Sequence, residues 1–287
     1  MNDVNFQNFP GIQKQRIHHK KIFGIDYSGS LQASKKIWIC EAEFFKNEIN
    51  INSVYSIFDK FKIKSREETN YQIISLIKNN PDGVFGFDFP FSLPIRAIQN
   101  LSWKEFIINF DKTYKSENEF RNKLRKLFNF KDIKRKCDIT SKTPFSPYNL
   151  RIYRQTYYGI TEILKPLLLL NSTSVLPFDK PESKKSIIME VCPASLMKIR
   201  KETIKWPGSY KGKKEVHREN RMKILDILLS HLNINFIDIK NKEFILNDAE
   251  GDALDSLICV ICALRGLSYP ELSVKDENHM LEGYVYY

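Results

Sequence analysis

Between positions 252 and 264 the apolar residues Ala253, Leu254, Leu257, Ile258, Val260, Ile261 and Leu264 leave hardly any polar side, and a helix patterned this way is buried. The spacing predicts that helix over residues 247–266, with Gly266 just past its end and Pro270 barring continuation. Elsewhere the pattern changes period. KIFGIDYSG alternates as a short strand, Ser28, Gly29 and Ser30 supply a turn, and KKIWICEAEFF and EININSVYSIF continue as a second and third strand. Ile73, Ile74 and Ile77 mark the buried face of a helix over 67–79. VFGFDFPF is an apolar strand broken only by Asp88 and closed by Pro90 and Pro94, and SIIMEVC, residues 186–192, is another that Pro193 stops. An amphipathic helix and a short apolar strand or turn, INFIDI, lead into the buried helix, and EGYVYY reads as a last edge strand.

These elements predict an α/β fold: three antiparallel strands extended by parallel ones, with the first and fourth side by side and helices on the flanks. Residues 1–20 read as a basic leader and 21–287 as a single domain. Within it, about 95–185 form a mainly helical insertion, with loops at DITSKTPFSPYN and NSTSVLPFDKPESKK. No repeat or low-complexity segment interrupts this order.

Composition narrows the function. At 287 residues with 42% hydrophobic content the chain can bury a real core, and a formal charge of +11 favours an anionic partner such as nucleic acid. No apolar run approaches the roughly 20 residues of a membrane span and no signal-peptide core opens the chain, so no membrane association and a cytoplasmic location are expected. Five scattered cysteines read as core thiols, not as a disulfide framework or metal site.

The candidate chemistry lies in acids at unusual places. Asp26 and Asp88 stand at strand exits, Glu190 at a third, and Asp252 and Asp255 share one face of the buried helix. Ionised carboxylates are costly beside a core unless paired, hydrogen-bonded or bound to a cation. Asp248 and Asp252 also suit the entry of a helix, where acids complement its dipole. Ordinary alternatives exist for the others: an Asx-turn at Asp26, local backbone bonds at Asp88 and an ion pair at Glu190. Converging carboxylates, with no accompanying histidine or cysteine cluster, would suit Mg²⁺ or Mn²⁺, and two such ions about 4 Å apart support phosphodiester hydrolysis.

Basic segments supply candidate nucleic-acid contacts. RNKLRKLFNFKDIKRK holds eight basic residues against one acid and contributes Arg121, Arg125, Lys126, Lys134 and Arg135. NLRIYRQTYYGI interleaves Arg151 and Arg154 with aromatics including Tyr157, and the loop SYKGKKEVHR adds Lys211, Lys213, Lys214 and Arg218. A solvated helix face and core tyrosines are the alternative.

The first-strand GID, the acid ending the fourth strand and GDALDSLICVICAL resemble the ribonuclease H-like nuclease superfamily, the last in the manner of the D-x-x-D helix of RuvC-type resolvases. In order, GIDYSG, FGFDFPFSLP, MEVCPAS, KGKKEVHRENRMKIL and DALDSLICVICAL are similar to the domain of unknown function 429 family, described as ribonuclease H-like nucleases. That resemblance implies a ribonuclease H-like fold and a metal-dependent nuclease. In it Asp26, Asp88 and Asp255 are metal ligands, Asp252 a further ligand or water-positioning base, and Glu190 an extra acid. An actin-like or sugar-kinase-like phosphotransferase would need a second Asp-Gly phosphate loop, which the chain lacks, since its one such pair, Asp82 and Gly83, precedes a strand. A non-catalytic nucleic-acid-binding module on a nuclease-like core is the other alternative.

Overall fold

Alternation along the strands sets the architecture. The computed structural model describes residues 19–199, 201, 204–268 and 278–287. Among these, seven strands form one mixed sheet in the order β5-β6-β4-β1-β2-β3-β7. They are β1 (His19–Asp26), β2 (Trp38–Phe45), β3 (Glu48–Ser56), β4 (Val84–Phe87), β5 (Thr173–Leu176), β6 (Ser186–Glu190) and β7 (Ile234–Phe236). The expected antiparallel meander is present as β1-β2-β3, and β4 lies parallel to β1 as expected. β4, β6 and β5 continue the sheet in parallel, and β7 adds to β3 at the other edge.

Both faces of the sheet are covered. Ile22, Val84 and Met189 face a core shared with the helices Glu215–His231, Ile239–Asn247 and Asp252–Ser268. Phe23, Ile25, Phe85, Phe87 and Ile188 face the opposite core, built from helix Arg66–Lys78 and the insertion, including Phe106, Phe110 and Tyr157.

Several boundaries differ from expectation. Residues 1–18 of the leader lie outside the described residues, and His19 and Lys20 already belong to β1. A short helix, Ala33–Lys36, separates β1 from β2. The insertion is not purely helical, because Thr173–Leu176, read as loop, pairs with β6 and becomes a sheet edge. The acid-bearing helix runs through Gly266 to Ser268, and the glycine is there because Tyr286 packs against it, leaving 2.7 Å between an added Cβ and the ring. Pro270 lies outside the described residues. EGYVYY forms no edge strand: Tyr284, Val285 and Tyr286 are buried, with a single bridge from Tyr286 to Val191. All five cysteines are free and buried, as expected.

Close approach of helix Asp252–Ser268 to the sheet depends on two paired glycines. Gly24 and Gly86 are in register on β1 and β4. A Cβ on Gly24 would overlap the Ser256 carbonyl oxygen and come within 2.5 Å of Val260 N; one on Gly86 would lie 3.0 Å from Cys259 O. Gly24→Ala should therefore cost about 3 kcal/mol, because backbone, not a movable side chain, stands in the way. Chemical denaturation measures it, and a cost below about 1 kcal/mol would show that the helix does not sit that tightly on β1.

Candidate metal centre

Gly-x-Asp occurs at both central strands, Gly24-Ile25-Asp26 and Gly86-Phe87-Asp88. Side chains two apart share a face of a strand, so each aspartate follows its glycine towards the same helix. Asp248 is spent on helix entry, accepting from Ala253 N at 2.9 Å, whereas Asp252 and Asp255 in the first turn meet the strand acids. Ligand oxygens of Asp26, Asp252 and Asp255 lie within 4.8 Å of one another. Asp88 lines the same cleft, of about 440 Å³, and feels the charges of Asp255 and Asp252. The four expected aspartates thus converge.

Burial, followed by the charge of Asp252, holds the Asp26 carboxyl well above the usual carboxylate range. Asp88 is pushed up to about 8 by burial and then by Asp255, and Asp252 to about 6, chiefly by burial. Opposing this, Lys211 Nζ lies 2.6 Å from Asp255 Oδ2 and 3.4 Å from Asp252 Oδ1, and Tyr210 donates its hydroxyl to Asp255 Oδ1 at 2.7 Å. Burial works against the charge on Lys211, but Asp255 and Asp26 outweigh it and hold its pKa raised. An all-oxygen donor set of mutually repelling carboxylates, already attracting one internal cation, fits Mg²⁺ or Mn²⁺ better than zinc.

A pH dependence follows. Unfolded, these aspartates titrate near 4; folded and metal-free, Asp88 titrates near 8, so between those values the folded state holds more protons and its stability falls as pH rises. Asp88→Asn should flatten that fall in thermal melts run in a chelator. Equal slopes for both proteins would mean that Asp88 is not charged against its neighbours.

Glu190 lines the same cleft and its charge is felt by Asp88, but its carboxylate is taken up by other partners. Its register partner is Phe87, so it shares the face of Phe87, opposite to that of Asp88. There it meets Arg135, which donates to Glu190 Oε1 at 2.5 Å and Oε2 at 2.8 Å; Phe91 N adds a bond to Oε2 at 2.8 Å. The structure thus places Glu190, expected as an extra acid of the site, in a buried ion pair with Arg135 at the cleft wall. The reading of Arg135 as a nucleic-acid contact is corrected: wholly buried, its guanidinium is consumed by Glu190, Asp138 and the Glu282 carbonyl, so it offers nothing to a phosphate.

The other basic candidates divide by position. Arg151 lines the acid cleft, beside the Phe145 ring. Arg154 faces an adjoining groove with Ser28, Gly29 and Ser30. Lys213 and Lys214 are exposed two and three residues beyond Lys211. Arg125 and Lys126 line a separate groove that shares no residue with the acid cleft, and Arg121 packs over the Tyr153 ring. Lys134 donates to the Thr143 carbonyl at 2.5 Å, and Arg218 to Asn247 at 3.3 Å. Tyr157 is buried, its hydroxyl on the Tyr114 carbonyl at 3.2 Å, so it cannot stack on a base.

Sequence reasoning gave Lys211 to phosphate and passed over Tyr210 and Gln155, whose amide donates to the Asp88 carbonyl. Nothing local marks Tyr210 or Gln155; an acid at the exit of an apolar strand was the legible signal for Asp26 and Asp88.

Compared with family models, with curated proteins and with solved structures, the chain matches none. No helix among the described residues is long and apolar enough to cross a membrane.

Proposed function

We propose that this protein is a Mg²⁺- or Mn²⁺-dependent nuclease of ribonuclease H-like fold, hydrolysing phosphodiester bonds in the cleft between the sheet end and the insertion. The observation that carries the reading is the convergence of Asp26, Asp252 and Asp255 within 4.8 Å, with Asp88 beside them. A bound divalent ion would supply an activated water and stabilise the leaving oxygen. The chain's own residues do the rest. The four aspartates would hold the ion, Tyr210 and Lys211 orient Asp255, and Gln155 fixes the backbone that presents Asp88. Arg151 at the cleft and Lys213 and Lys214 nearby would attract the phosphate backbone. The order of the motifs resembling the domain of unknown function 429 family supports the same reading.

Incubation with single-stranded, duplex and branched DNA and with RNA, in Mg²⁺ or Mn²⁺, should give cleavage of at least one substrate, abolished by chelator. No cleavage of any, with salt-sensitive binding retained, would favour the binding-module reading. Binding itself tests the placement of the arginines. Arg151→Ala should weaken affinity whatever the sequence and make the salt slope shallower by about 1, whereas Arg125→Ala should change neither. Equal losses in the two variants would put the substrate elsewhere.

A further inference from the structure

Lys211 meets the acids of helix Asp252–Ser268 as a metal ion would, bridging Asp255 Oδ2 at 2.6 Å and Asp252 Oδ1 at 3.4 Å. Its side chain is half exposed (49%), but the backbone on either side is pinned. Arg221, buried in helix Glu215–His231, donates to the Tyr210 carbonyl at 2.6 Å and the Gly212 carbonyl at 3.3 Å, and Gly212 N donates to the Ala249 carbonyl at 2.6 Å. With Tyr210 on Oδ1, both oxygens of Asp255 have a donor from the protein. Among the described residues no hydrogen-bond donor reaches the carboxylate of Asp26 or Asp88. The protein's own cation is therefore in direct contact with Asp255 and Asp252, while Asp26 and Asp88 feel its charge without a contact of their own.

We propose that Lys211 fills one of two cation positions in the cluster, so that the site takes a single divalent ion, held by Asp26 and Asp252 with Asp88 beside them. The inference rests on the reading of this centre as metal-binding and alters its stoichiometry and its ligand set, leaving Asp255 to Lys211 and Tyr210. In two-ion sites the ions stand about 4 Å apart and share a carboxylate. Here the ammonium lies against Asp255 where the second ion would bind, and a divalent ion in contact with it would meet both steric overlap and like-charge repulsion. Lys211 thus supplies a permanent charge that needs no metal in solution to fill its position.

The test is Mn²⁺ titration of the full chain by calorimetry, with electron paramagnetic resonance to detect a spin-coupled pair, on wild type, Lys211→Met and Lys211→Arg. One Mn²⁺ is expected in wild type and in Lys211→Arg, and two, with a coupled-pair spectrum, in Lys211→Met. Metal-free Lys211→Met should also melt lower than wild type and recover with Mn²⁺, because the ions replace the lost charge. Two ions in wild type or in Lys211→Arg, or one in folded Lys211→Met, would overturn the proposal while leaving the metal centre standing. If Lys211→Met does not fold, the stoichiometries of wild type and Lys211→Arg still decide. No Mn²⁺ bound by any of the three would overturn the metal reading, and this inference with it.

Discussion

Asp26→Asn is expected to lower phosphodiester cleavage on the order of a thousandfold or more while leaving the fold intact. Asparagine keeps the shape and one carbonyl oxygen but removes the charge nearest the meeting point of β1 and helix Asp252–Ser268. The loss should come from metal affinity, since protein contacts around Asp26 barely change: no hydrogen bond from the described residues to its carboxylate is lost. Stability should move the other way. Burial and the charges of Asp252, Asp255 and Asp88 raise the Asp26 pKa, so ionising it costs the metal-free protein stability at neutral pH, and asparagine removes that cost. In chelator the variant should melt at or above the wild-type temperature, and divalent metal should stabilise wild type more than the variant. Undiminished cleavage would show that Asp26 is not a ligand, and a variant that melts well below wild type in chelator would show that its carboxylate supports the fold.

Arg135→Ala should cost about 3–5 kcal/mol of unfolding free energy, the typical loss when one member of a buried ionic network is removed. All five guanidinium N–H groups are used: Nε and Nη2 on Asp138, Nη2 and Nη1 on Glu190, and Nη1 on the Glu282 carbonyl. Truncation would leave Asp138 and Glu190 buried with their main cation gone. Burial already pushes Glu190 up, with Arg135 pulling it back, so the variant should lose less at acid pH, where Glu190 can take a proton. Arg135→Lys should recover only part of the loss, because a point ammonium cannot reproduce the planar fork. Denaturant melts at neutral and acid pH measure both effects, and a neutral-pH loss under about 1 kcal/mol would mean that the network carries little of the stability. The network also ties the insertion to β6 and the C-terminal segment, so its loss should loosen the cleft wall formed by residues 143–151, which limited proteolysis would report.

How far the sequence reaches differs from residue to residue. Asp26 and Asp88 were legible because strand periodicity is local: an acid ending an apolar strand stands out from the residues before it. The buried helix with Asp252 and Asp255 was legible for the same reason, since an apolar surface on every side permits only burial. Glu190 was not, because β6 is covered on both faces and its apolar run gives no sign of which face an acid takes; the pairing of Glu190 with Phe87 decides that. Nor was β5, whose four residues become a strand only because β6 offers them a partner.

Among the charged residues the division is sharper still. Eight basic residues in RNKLRKLFNFKDIKRK look alike in sequence, yet Arg135 alone of them becomes wholly buried, because its partners Glu190 and Glu282 arrive from 55 and 147 positions away. Lys211 looked like one more lysine of a phosphate-binding loop, but it meets Asp252, 41 residues on, across the cleft. The sequence by itself determined the β1-β2-β3 meander, the burial of the last long helix and which aspartates stand at strand exits or on that helix, because each follows from a period within a few residues. Only the tertiary structure decided which cations stand against those acids and which acid is taken up by an arginine, because an ion pair depends on distance in space and alternation alone cannot supply the partner.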